Sequence, residues 1–142
     1  MSAEDKTAIA NVMTEMVAVM NRHDLEACLA FYSADSELQD GLFPVPVHGL
    51  EKVREGFAYW FQAFPDVRVT VAKMICDPPD VALEWTFEGT HSGEYLGVPP
   101  TGKRLKVLTA AHFRVEQGKV TRDFSLFDAS GLRQLQRFAA EG

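Results

Sequence analysis

The hydrophobic period changes once along this chain, and that change limits the folds open to it. Up to residue 64 apolar side chains recur at helical spacing. Ile9, Met13, Met16 and Met20 form one stripe, with Val12 and Val17 beside it, and Leu25 to Phe31 a shorter one. Leu50, Val53, Phe57, Trp60, Phe61 and Phe64 form a third, dominated by aromatics. Each is the buried face of an amphipathic helix. From residue 67 the period is two: Val67, Val69, Val71; then Leu83, Trp85, Phe87; then Val107, Thr109, Ala111, Phe113, Val115; then a last strand from Val120 to Phe127. Alternation of this kind marks half-buried strands.

Punctuation residues separate these segments. Asp24 caps the second helix, Pro65–Asp66 ends the third, and Asp77–Asp80 and Glu116–Lys119 turn between strands. Residues 35–48 read as a short irregular strand and a long loop, residues 92–104 as a Gly- and Pro-rich loop, and residues 132–138 as a last helix. Ser2 is the expected cap of the first helix. Three helices followed by an antiparallel meander predict an α+β fold, with one domain over residues 1–142. A sheet that coils around the long third helix leaves a cone with an internal apolar pocket and a mouth at one end.

Charge and cysteine content narrow the function. The net charge is −6 and the basic residues are scattered, so the stripe that nucleic acid requires is absent. No apolar run reaches membrane-spanning length and the amino terminus is polar, which predicts a cytoplasmic protein with no membrane partner. Cys28 and Cys76 have no metal-ligand spacing and read as small buried apolar residues. No two histidines are placed to share a metal ion, so neither a metal nor another cofactor is expected. Ten Phe, two Trp and three Tyr are enough to line a pocket for a small hydrophobic, planar ligand.

A pocket of that kind becomes reactive when it traps an ionisable group, because desolvation raises a carboxyl pKa toward neutrality. Asp123 is the leading candidate and shares strand parity with Ser125. The parity itself is ambiguous, since Phe124 and Phe127 cannot share a face without a bulge. The bland alternative is an exposed aspartate beside Arg122. Asp40 is the second candidate, against the competing role of an Asp–Gly turn. Asp128 starts the final helix and is placed to cap it. Gln39 and His48 are expected near the mouth, Phe57, Trp60, Phe61, Trp85, Phe87 and Phe124 as walls, and His112 on the outer face.

Three segments carry a resemblance. Residues 88–105 (EGTHSGEYLGVPPTGKRL) are similar to the signature loop of the SnoaL-like polyketide cyclase family. Residues 113–120 (FRVEQGKV), 128–135 (DASGLRQL) and 64–67 (FPDV) resemble it too, so the likeness runs from about residue 8 to residue 138. It implies the cone-shaped nuclear transport factor 2-like fold, a homodimer, and acid–base chemistry on a polyketide-like or other carbonyl compound. His91 resembles a recurrent position that orients the loop, and Asp128 matches a position at the final helix. Aldol cyclases of the family use an aspartate on the last strand and a histidine on the preceding one. Those positions fall at Ser125 and Ala111 here, and an aromatic position of the first helix falls at Met20. The expected function is therefore a cofactor-free cyclase, isomerase or lyase using Asp123, with Ser125, Gln39 or His48 polarising an oxygen. The alternatives are a non-catalytic binder of the same fold, and an epoxide hydrolase or hydroxylase-accessory relative.

Overall fold

The computed structural model describes residues 3–141, which leaves Ser2 outside the described residues. Helix α1 (Ala3–Asn21) precedes a five-residue α2 (Leu25–Leu29), β1 (Tyr32–Gln39), a two-residue β2 (Val47–His48) and the long α3 (Leu50–Ala63). The strands β3 (Arg68–Asp77), β4 (Asp80–Thr90), β5 (Arg104–Glu116) and β6 (Lys119–Phe127) follow, and α4 (Ala129–Glu141) ends the chain. They build an α+β fold around one curved six-stranded sheet, ordered β2-β1-β6-β5-β4-β3.

From β3 to β6 the strands form the expected antiparallel meander. The expectation of a wholly antiparallel sheet is corrected at β1, which runs parallel to β6. Parallel neighbours need a long crossover, and here α3 with the whole meander supplies it. Asp24 caps α2 as expected, its Oδ1 accepting from the Ala27 amide at 3.1 Å. That helix stops at Leu29 rather than Phe31, and the chain turns directly into β1.

Burial follows the sequence pattern. β4 and β5 alternate strictly, with Leu83, Trp85 and Phe87 facing inward across from Ala111, Thr109 and Val107. α1 buries Met13 and Met16 and packs on β3, while α3 packs on β1. Asn21 and His23 tie the end of α1 to the sheet edge. Asn21 exchanges two hydrogen bonds with the Val69 backbone, and His23 Nε2 meets the Val67 carbonyl at 2.7 Å. Cys28 is buried and Cys76 only half-buried; both are free thiols.

One irregularity decides what β6 presents to the interior. Val115 pairs with Val120 and Arg114 with Arg122, so Thr121 is an extra, unpaired residue. This β-bulge resets the alternation. Val120 faces in before it; Asp123 and Ser125 are the buried residues after it, while Arg122, Phe124 and Leu126 take the other face. β1 follows with its own detour between Tyr32, which pairs with Val120, and Glu37, which pairs with Arg122. Buried Ser36 fills that detour, donating to the Val120 carbonyl at 2.7 Å.

Candidate functional site

Between α3 and the sheet lies a cavity of about 90 Å³, several times the ~10–15 Å³ that one water needs. Phe57, Tyr59 and Trp60 of α3, Trp85 of β4 and Tyr95 of the 91–103 loop form aromatic walls. Met20 of α1 reaches the same space. The polar surface comes from Asp123 and Ser125 of β6, Tyr32 of β1 and Asp40 just beyond β1.

Asp123 is 9% exposed. Tyr32 donates its phenol proton to Oδ2 at 2.7 Å, and Ser125 donates its hydroxyl to Oδ1 at 2.9 Å. Burial penalises the charged carboxylate and pushes its pKa up to about 6. The two hydrogen bonds, and more weakly Arg122, pull it back, while the charge of Asp40 raises it further. A carboxyl so placed exchanges protons near neutral pH. Burial by a low-dielectric wall and the nearby Asp123 charge also hold the Tyr32 phenol well above its ordinary pKa, so it stays a donor.

Asp40 has two jobs. Its Oδ1 accepts from the Leu42 and Phe43 amides at 2.8 and 3.0 Å, the turn-stabilising role anticipated for an Asp–Gly pair. The same side chain lines the cavity, where burial raises its pKa against those two hydrogen bonds. Tyr95, also buried, lies within electrostatic reach of Asp40.

The remaining candidates fall in other places. Phe61 stacks on Phe57 and Trp60 and meets His23 edge-on, behind the cavity wall. Phe87 is wholly buried beneath Trp60 and Phe64, as packing rather than wall. Phe124 points away from Asp123, its ring 5.3 Å from the Arg122 guanidinium. His48 is exposed beside Glu37, and Gln39 donates to the Pro44 carbonyl. Gln39, Phe124 and Asp128 border an open groove beside the cavity, next to Leu96 and Leu135. His112 is on the outer face, 3.0 Å from Asp80. Glu37, with His48 opposite it, and Gln39 lie on the other side of the strand from buried Leu38, which is why neither His48 nor Gln39 reaches the interior. The sequence pattern does not single out Tyr32, Tyr59 or Tyr95, which the fold brings to the cavity.

The signature loop is built around His91. That wholly buried residue sets Nδ1 2.9 Å from Thr101 Oγ1, and its backbone bonds Lys103 and Gly102. Burial lowers the His91 pKa, consistent with a neutral ring. Gly93 lies so close to the end of α3 that a Cβ there would stand 2.5 Å from the Gln62 carbonyl oxygen. So anchored, the loop presses Tyr95 onto Phe64 and Tyr59, ring centroids 5.0 and 5.7 Å apart, and delivers it to the cavity. Among the described residues no group of three or more His, Cys, Asp or Glu is placed to hold a metal ion. No described helix is long and apolar enough to cross a membrane.

A family model described as SnoaL-like polyketide cyclase matches residues 10–135. Among solved structures, the candidate hydroxylase AclR from Streptomyces galilaeus superposes with a TM-score of 0.81 at 28% identity, over 93% of this chain and 83% of AclR. TsrD from Streptomyces laurentii gives 0.79 at 23% identity, over 92% and 96% of the two chains. A SnoaL-like polyketide cyclase from Agrobacterium tumefaciens gives 0.74 at 18% identity, over 90% and 97%. A search of curated proteins found no match.

Proposed function

The chain belongs to the SnoaL-like polyketide cyclase family, and from that premise we propose that it is a cofactor-free proton-transfer enzyme acting on a small hydrophobic carbonyl compound. The observation that carries this reading is Asp123, buried in an aromatic cavity with a pKa near 6 and gripped by Tyr32 and Ser125. Its carboxylate takes a proton from the carbon beside the carbonyl. Returning that proton elsewhere gives isomerisation, and letting the carbanion attack or expel a group gives cyclisation or elimination. Tyr32 and Ser125 hold the carboxylate in one orientation, which favours reaction over tumbling.

The departure from the family pattern is local. Ala111 and Ser125 stand directly opposite each other on β5 and β6, and the carboxylate comes from position 123 on the same face. The test uses simple ketones in deuterated water, with loss of the α-proton signal followed by NMR. Exchange catalysed by the protein and abolished in Asp123→Asn supports the reading. Catalysis that survives the substitution overturns it.

Two other readings each have an observation in their favour. Ala111 in place of a histidine favours a carrier that binds without reacting; ligand-dependent thermal stabilisation with no exchange would identify it. The likeness to AclR favours a hydroxylase-related role, which incorporation of labelled oxygen into product would reveal. Self-association would use the outer sheet face, where Leu108 and Leu126 are 56% and 58% exposed. On this reading a second copy of this chain packs there, and Leu126→Glu leaves a monomer in sedimentation velocity.

A further inference from the structure

A site that draws a proton from a ketone also needs a donor for the ketone's oxygen. The side chains that the sequence offered for this are engaged elsewhere. Ser125 donates to Asp123, Gln39 to Pro44, and His48 faces Glu37. The phenols of Tyr32 and Tyr59 donate to Asp123 and Glu94, while Tyr95 brings a third phenol to the cavity wall.

The two indoles differ. Trp60 and Trp85 both line the cavity, meeting edge-on with ring centroids 6.1 Å apart, and Trp85 is 8% exposed. The Nε1 atom of each is buried and meets no acceptor among the described residues. Directly across the β4–β5 ladder from Trp85, the Thr109 hydroxyl is buried without a partner as well. The fourth such atom, His91 Nε2, belongs to the loop. Native folds leave few buried polar groups unpaired, and each calls for an explanation. Here two of them belong to side chains of the cavity wall, and a third lies across the ladder from one of these. An indole N–H only donates, so the group that completes this part of the wall is an acceptor.

We propose that Trp60 and Trp85 are specificity-determining donors to an oxygen of the bound ligand, so that the cavity selects planar hydrophobic molecules carrying a carbonyl over hydrocarbons of the same shape. The proposal rests on the reading above for the cavity being the ligand site; its own content is selectivity at equilibrium. When Asp123 accepts the α-proton, the C–H bond breaks and its electron pair forms the carbon–carbon double bond. The carbonyl π pair moves onto oxygen, where negative charge grows against the indole N–H groups. Donors preorganised in a largely apolar wall stabilise that charge most.

The experiment compares 2-indanone with indane, which shares its frame and lacks the oxygen. Binding of each is titrated to the wild type and to Trp60→Phe and Trp85→Phe, and indole resonances are followed in ¹⁵N-tryptophan-labelled wild type. The wild type is expected to prefer the ketone by about tenfold, and each variant to lose roughly three- to tenfold on the ketone alone, the range of one or two neutral hydrogen bonds. The indole N–H resonances move downfield with 2-indanone and stay in place with indane. Equal losses on both probes, or unmoved indole resonances in ketone-saturated wild type, overturn the proposal without needing either variant to fold well. Binding of neither probe at millimolar concentration overturns it together with the cavity as a ligand site. Selective binding with no α-proton exchange sinks the enzymatic reading and leaves this one standing.

Discussion

Tyr32 and Asp123 lie 91 residues apart, yet the phenol of one donates a 2.7 Å hydrogen bond to the buried carboxylate of the other. The parallel pairing of β1 with β6 creates this contact. It sets a tension within the site: burial drives the carboxyl toward its neutral form, and the phenol draws it toward the charged one.

Removing the phenol should therefore raise the Asp123 pKa. A hydrogen bond to a charged group is worth ~1.5–3 kcal/mol, so Tyr32→Phe should move the acidic limb of kcat/KM up from about 6 by roughly one pH unit. At pH 6 exchange of 2-indanone should then slow about fivefold, as the ionised fraction falls from about a half to a tenth. Above pH 8 most of the rate should return. A pH profile that superposes on the wild type would remove Tyr32 from the mechanism.

Asp40→Asn should act in the opposite direction. Asparagine keeps the side-chain oxygen that accepts from Leu42 and Phe43, so the turn persists. It removes a like charge that raises the Asp123 pKa. The acidic limb should move below that of the wild type, with the fold unchanged by circular dichroism.

Asp123→Asn should alter stability as well as rate. The folded carboxyl, at about 6, binds its proton more tightly than an unfolded aspartate near 3.9. The stability it contributes is thus full below about pH 4 and is lost as pH rises through 6. That loss is on the order of 3 kcal/mol in the wild type. Asparagine stays neutral and escapes it. Urea unfolding at pH 4 and pH 7.5 should show the variant gaining on the wild type by about that amount across the interval. A constant difference would mean that Asp123 titrates normally.

Gly93→Ala tests the loop that carries Tyr95. Its Cβ would fall 2.5 Å from the Gln62 carbonyl and 3.1 Å from the Ala63 Cα, both backbone atoms that cannot swing aside. Overpacking of this kind costs ~1–3 kcal/mol, readable as a lower urea midpoint with an unchanged slope. Ligand affinity should fall with it, because Tyr95 moves with the loop.

The fold could be read from the period alone in β4 and β5, whose alternation from Val81 to Phe87 and from Leu105 to Val115 is unbroken. Asp123 could be named but not oriented. Val120, Phe124 and Phe127 give conflicting parities, and nothing in the letters marks Thr121 as the unpaired residue. Tyr32 carries no mark in the sequence, because it sits where a helix gives way to a strand and its partner comes from the far end of the chain. Trp60 and Trp85 were expected as walls for their bulk, while their lack of acceptors is visible only once every neighbour is placed.

The extra residue at Thr121 has a consequence for how such a cavity can change over evolutionary time. Deleting that one codon would leave Val120 opposite Val115 and Arg122 opposite Arg114, so the strand would become regular and Asp123 and Ser125 would still face inward. A residue gained elsewhere in the strand, with no bulge to absorb it, would exchange the two faces instead. The internal acid is thus insulated from a change of chain length at this one place.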